Sequence, residues 1–183
     1  MPQTLYESNI QWTFEDGWTV KQYDETTWYK NHFKGCCDSK AVDFIAFDTQ
    51  CSTLWLIEVK DFTSQQPDES KDLATIIPKK VRDTLAGILA GAIQANDPAE
   101  QTFFRAAIKA PTLRVAFHCE GPRHKSRLFN RFPDPADLQQ SFRRSLKALG
   151  CRPIVMTTAD DHSRLPWKTQ WSPQTGSQAQ TKQ

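Results

Sequence analysis

The sequence predicts an α/β fold: a mixed central β-sheet flanked by helices, with an N-terminal β-hairpin. Three observations carry that prediction. First, "AVDFIAFDTQCSTLWLIEVKDF", residues 41–62, contains two apolar runs of strand length around a short polar break. Second, apolar residues fall on both faces of both runs, which marks a sheet covered on both sides and not one with a wet face. Third, strand-like and helix-like segments alternate beyond residue 77, the layout of crossovers and therefore of partly parallel strands. At 183 residues the chain suits one domain with a sizeable core. That domain is placed at 1–167, followed by a polar tail, expected to be flexible, at 168–183.

The elements follow in order. "NIQWTFEDGWTVKQYD" (9–24) alternates aromatic and polar residues around Glu15-Asp16-Gly17, a turn signal, and predicts a hairpin. "ETTWYKNHFKG" (25–35) fits helix or strand and is read as a short helix ended by Gly35. Ala41–Asp48 and Thr53–Phe62 are the two strands, and "TSQQPDESKD" (63–72) is a polar loop. "IPKKVRDTLAGILAGAIQAN" (77–96) is a helix with Pro78 near its first turn. Val81, Leu85, Ile88, Leu89 and Ala92 form its apolar face. Asp97 caps a second helix whose first residue is Pro98. "TLRVAFHCE" (112–120) is a strand, "PADLQQSFRRSLKALG" (135–150) a helix closed by Gly150, and "RPIVMTTAD" (152–160) a further strand. The Gln-, Ser- and Thr-rich tail has Trp171 as its apolar anchor.

Composition narrows the function classes. A formal charge of +2 rules out a global electrostatic pull toward nucleic acid or membrane, so any such surface is a local patch. No apolar stretch reaches the length of a membrane span, and "MPQTLYESNIQW" lacks a signal-peptide layout; a cytoplasmic protein with no membrane partner is expected. The five cysteines include the adjacent Cys36 and Cys37 and form no disulfide framework. His32 with Cys36 and Cys37, or His118 with Cys119 and His124, match no standard zinc spacing, and free thiols are the better reading.

Charges inside the apolar runs are the functional signal. Asp43, Ile45 and Phe47 share one strand face; Leu54, Leu56, Glu58 and Lys60 share one on the next strand. If Asp48 pairs with Thr53, then Asp43 lies opposite Glu58, with Cβ atoms roughly 5 Å apart. Like charges so placed repel, and burial raises the penalty. A protonated acid, the Lys60 ammonium or a divalent cation would offset it. Two carboxylates beside a backbone carbonyl are hard oxygen ligands suited to magnesium. A cation-bound water could then serve as nucleophile toward a phosphodiester, with Lys60 orienting it, helping to remove its proton or stabilising charge on the phosphate. The competing reading makes Glu58–Asp61 a strand end emerging into solvent and Asp43 the polar start of its strand.

"VDFIAFD…LWLIEVKDF" resembles the PD-(D/E)xK, or restriction-endonuclease-like, nuclease superfamily. The resemblance implies an α-β-β-β-α-β core. It implies Asp43 and Glu58 as catalytic metal ligands, the Val59 carbonyl as a further ligand, and Lys60 as the catalytic lysine. It implies a Mg2+ (or Mn2+) cofactor, helix 79–95 after the E-x-K strand, and 112–119 as the next strand. An additional acid from the N-terminal region often joins such sites; among Glu7, Glu15 and Glu25, Glu25 is selected. Val42 stands where the name-giving proline would be, and the helix after Lys60 has no Q-x-x-x-Y. The implied activity is metal-dependent hydrolysis of DNA, in defence, restriction or repair, with RNA as the alternative substrate. The chain would act as a homodimer or in a larger complex. The alternative function is an inactive module of the same fold that binds protein or nucleic acid.

Phosphate contacts call for Lys and Arg near the site. "GPRHKSRLFNR" (121–131) supplies Arg123, Lys125, Arg127 and Arg131. Lys79 and Lys80, with Arg82, form a second group, and Arg143, Arg144 and Lys147 a third. Cations early in a helix oppose its dipole, a cost an anionic ligand would offset. Trp12, Phe14, Trp18 and Trp28 are read as cover for a core or partner, in preference to base-stacking platforms.

Overall fold

The computed structural model describes residues 2–48, 53–63, 72–121 and 133–172. Strands β1 (Gln3–Glu7), β2 (Ile10–Phe14), β3 (Trp18–Gln22), β4 (Phe44–Asp48), β5 (Thr53–Asp61), β6 (Thr112–Glu120), β7 (Arg152–Met156) and β8 (Trp167–Trp171) form two sheets. The larger is a five-stranded mixed sheet in the order β3-β4-β5-β6-β7. Its first three strands pair antiparallel and its last three parallel. The smaller is antiparallel, in the order β1-β2-β8. Helices α1 (Leu73–Gln94) and α2 (Pro98–Ala107) connect β5 to β6, and α3 (Pro135–Ser145) precedes β7. Parallel neighbours require such crossovers.

The apolar residues on both faces of β4 and β5 are explained by two cores. On one face Ile45, Phe47, Leu54 and Leu56 pack with Val81, Ile88 and Ala92 of α1 and Phe103 and Phe104 of α2. On the other, Phe44, Ala46, Trp55, Ile57 and Val59 pack against Ile10, Trp12 and Phe14 of β2 and Trp167 of β8. Helices thus cover one face and the small sheet covers the other. Trp12, Phe14 and Trp28 are core residues, in line with their expected role as core cover, while Trp18 is half-buried.

Several local expectations are corrected. Glu15-Asp16-Gly17 does not close a hairpin: Gly17, at φ +86°, turns the chain from β2 in one sheet to β3 in the other. The N-terminal hairpin is β1–β2, turned by Ser8 and Asn9, both with positive φ (51° and 60°), the two-residue geometry that matches strand twist. The predicted helix at 25–35 is a short π-helical segment, Tyr29–Phe33. The Glu100 carboxylate accepts the N–H groups of Thr27 (2.8 Å) and Trp28 (2.9 Å) just before it. Helix α1 begins at Leu73, capped by Asp72, whose carboxylate accepts the Ala74 N–H at 3.0 Å. Pro78 is therefore inside the helix, and Lys79 and Lys80 lie beyond the first turn, where the dipole acts little. Leu89, assigned to the apolar face, is 55% exposed, and Gly87 and Gly91 are buried in its place. Residues 168–171, expected in the tail, belong to β8 of the small sheet, and the rest of the expected tail from 173 lies outside the described residues.

Two connections fix key segments. Helix α1 is stitched to the run before β4: Asp83 accepts the Lys40 N–H at 3.0 Å and Thr84 the Val42 N–H at 3.1 Å. At the end of β6 the fully buried His118 holds Glu120 at 2.8 Å, and Glu120 also accepts the Thr158 N–H at 2.6 Å. Burial opposes ionisation of Glu120, yet bonds from His118 and Thr158 prevail and hold its carboxyl down to about 2.

Two outcomes follow from this packing. A Cβ on Gly91 would sit 2.6 Å from Phe104 Cδ2 and 3.0 Å from Trp28 Cδ1. Gly91→Ala therefore destabilises the fold by about 1–3 kcal/mol in chemical denaturation, against the better helix propensity of Ala; equal or greater stability would contradict this packing. A carboxyl lowered on folding contributes stability above its ordinary value of 4.5 that is lost as pH falls toward about 2. Glu120→Gln is expected to cost about 2 kcal/mol at pH 7 and to flatten the fall in stability below pH 4.5, read from denaturation at stepped pH.

Candidate functional site

The register of β4 and β5 is the one expected: Asp48 pairs with Thr53, Phe47 with Leu54 and Ile45 with Leu56. Phe44 pairs with Ile57, so Asp43, in a bend just before β4, comes next to Glu58. Its backbone N–H donates to Ile57 O at 3.1 Å, and its carboxylate Oδ2 accepts the Val59 N–H at 2.6 Å. Asp43 thus ends the ladder with a side chain where a backbone carbonyl would stand. This is what holds it, 8% exposed, at the head of the strand.

Glu58 lies on the helix-covered face with Leu54 and Leu56 and is 0% exposed. That overturns the picture of a strand end emerging into solvent. Oε1 of Glu58 takes two ammonium groups, Lys60 Nζ at 2.5 Å from its own strand and Lys80 Nζ at 2.5 Å from α1. Oε2 is buried with no hydrogen-bond partner among the described residues. The Val59 carbonyl accepts from Lys60 Nζ at 3.2 Å.

The electrostatics match the geometry. Burial, and then the negative charge of Asp43, push the Glu58 carboxyl up to about 7, against the pull of Lys80 and Lys60. Burial alone would lower the Lys60 ammonium, but Glu58 and Asp43 beside it raise it. Two further acids feel the same centre. Glu7, at the end of β1, is raised by burial and by Asp43 and lowered by Lys60. Asp24 is raised to about 6 by burial, Asp43, Glu7 and Glu25, with Lys80 opposing.

Asp43, Glu58, Val59 and Lys60 are therefore brought together. Glu25, selected as the additional acid, is exposed and paired with Lys30; Asp24 and Glu7 sense the Asp43 charge more directly. Lys80, assigned to phosphate contact, is bound to Glu58, and Lys79 lies 4.0 Å from Asp38. Arg143 and Arg144 are exposed on α3. Arg123, Lys125, Arg127 and Arg131 lie outside the described residues. Cys36 and Cys37 are exposed free thiols, and His32 stacks on Trp28 at 5.3 Å.

A divalent cation fits this donor set. Asp43, Glu58 and the Val59 carbonyl are hard oxygen donors, and Glu58 Oε2 is a buried acceptor with no hydrogen-bond partner among the described residues. The set contains two carboxylates: among the described residues no group of three or more His, Cys, Asp or Glu is placed to hold a metal ion. Water would complete the coordination, as is usual for magnesium.

No family model matches the sequence, and no solved structure matches it. Among curated proteins, the chain is 30% identical over 167 residues to the cysteine–tRNA ligase of Neisseria meningitidis serogroup A / serotype 4A. That match covers 74% of this chain and 24% of the ligase, so the chain spans about a quarter of the relative's length.

Proposed function

We propose that this protein is a metal-dependent nuclease of the PD-(D/E)xK superfamily, hydrolysing phosphodiester bonds in DNA. One observation carries the reading: a fully buried carboxylate, Glu58, stands next to Asp43 with one oxygen unpartnered and Lys60 on the same face. The order β3-β4-β5-α1-β6 supports the reading, since the expected core runs β-β-β-α-β with an Asp at the head of its second strand and E-x-K on its third. Among the described residues no helix precedes β3; a short helical segment lies between β3 and β4 instead.

Asp43, Glu58 and the Val59 carbonyl would hold Mg2+ or Mn2+. When bound, such an ion supplies Lewis acidity and lowers the pKa of a coordinated water. The chain's own part is orientation and charge. The Val59 N–H fixes Asp43, the helix-packed face of β5 excludes bulk solvent from Glu58, and Lys60 presents an ammonium where phosphate charge builds. Raised at its pKa by two carboxylates, Lys60 stays cationic at neutral pH and acts as an electrostatic stabiliser, not as the base.

A second reading has one observation in its favour. A chain that matches a quarter of a longer protein has the size of an appended unit. On that reading it is a non-catalytic module of the same fold, working in a larger complex and binding protein or nucleic acid.

Plasmid DNA and a labelled RNA, each with Mg2+, separate these readings when wild type is run beside Glu58→Ala and Lys60→Ala. The nuclease reading predicts cleavage of DNA by wild type, abolished by chelator and reduced about 10²-fold or more in both variants. Equal cleavage by all three would place the activity elsewhere. No cleavage by folded wild type would favour the module.

A further inference from the structure

The nuclease reading uses Lys60 and leaves a second ammonium unexplained. Lys80 comes from α1, 22 residues beyond Glu58, and ends 2.5 Å from the same Glu58 oxygen that Lys60 holds. Its side chain is 17% exposed, so its charge is largely withdrawn from water. A surface cation reaching for phosphate would not be so placed. Stacking two ammoniums on one carboxylate oxygen costs like-charge repulsion between them. The other carboxylate oxygen meanwhile goes unpartnered.

The two lysines are not equivalent. Lys60 also donates to the Val59 carbonyl at 3.2 Å and follows Glu58 by two residues on the same strand. Lys80 has no carboxylate or carbonyl partner besides Glu58 among the described residues. Together the two ammoniums balance the Asp43 and Glu58 carboxylates. A divalent cation on those carboxylates breaks the balance, and the ammonium with no second anchor is the one to yield.

Resting on the nuclease reading, we propose that Lys80 is a positioning residue: it occupies Glu58 Oε1 in the cation-free site and competes with the divalent cation for that carboxylate. It aims the buried carboxyl group before the ion arrives, and it sets how tightly the ion binds. Lys80 acts through Glu58 and is not assigned contact with the reacting atoms.

Mn2+ binding to the full chain without nucleic acid, followed by electron paramagnetic resonance, tests this directly. Wild type is compared with Lys80→Met, Lys80→Gln, Lys80→Arg and Glu58→Gln, each checked for folding by circular dichroism. Removing the competing charge in Lys80→Met or Lys80→Gln is expected to tighten Mn2+ binding by about tenfold. Lys80→Arg, which keeps the charge, retains wild-type affinity. The Mn2+ concentration for half-maximal cleavage shifts the same way. Unchanged or weaker Mn2+ binding in both neutral variants, with Glu58→Gln abolishing it, overturns the role of Lys80 and leaves the site standing. Wild-type Mn2+ binding that is absent or indifferent to Glu58→Gln overturns the site, and the competition with it.

Discussion

Burying one ionisable carboxyl group, Glu58, is the constraint around which the rest is arranged. Taking such a group out of water costs several kcal/mol even after relaxation, on the order of the stability of a whole domain. Glu58 is 0% exposed, and ammonium groups from two elements make that tolerable. Strand β5 supplies Lys60, α1 supplies Lys80, and the end of the β4 ladder supplies Asp43, which raises the cost again. A purely structural ion pair would not place a second acid against the first. Glu58 Oε2, without a partner among the described residues, is the observation on which the proposed cation site rests.

The two covered faces of the central sheet divide the labour. The face toward α1 and α2 carries the acids and lysines, and the Asp83 and Thr84 bonds to residues 40–42 place Asp43 from the same helix that carries Lys80. The face toward β2 and β8 is packed with aromatic rings, including Trp12, Phe14, Phe44 and Trp167. Core on that side gives β5 a rigid back against which the charged face is held. Rigid strands position functional groups more precisely than loops do.

Strand alternation and the β4–β5 register were legible in the sequence because both depend on neighbours in the chain. A four-residue break between two apolar runs leaves little freedom in pairing, so Asp43 and Glu58 were bound to share a face. The Asp97 cap and the Pro98 start were legible for the same reason. What escaped depends on distant packing. Glu15-Asp16-Gly17 reads as a hairpin turn locally, but burial of Trp12 and Phe14 against the back of the large sheet sends β2 and β3 into different sheets. Strand β8 looks like tail until Trp167 finds the same core. Lys80 was visible only as one cation of a cluster, because which helical residue reaches β5 depends on how α1 crosses the sheet. Its cap offered a partial clue: Asp72, three residues before Thr75, marks a helix start five residues ahead of Ile77.

The convergence of Asp43 and Glu58 on a single cation is most directly tested by a crystal structure with Mn2+, located by its anomalous scattering. The account predicts one peak bonded to carboxylate oxygens of both residues at about 2.1 Å, with Lys80 Nζ withdrawn from Glu58. A peak elsewhere, or none while both lysines remain on Glu58, would contradict it.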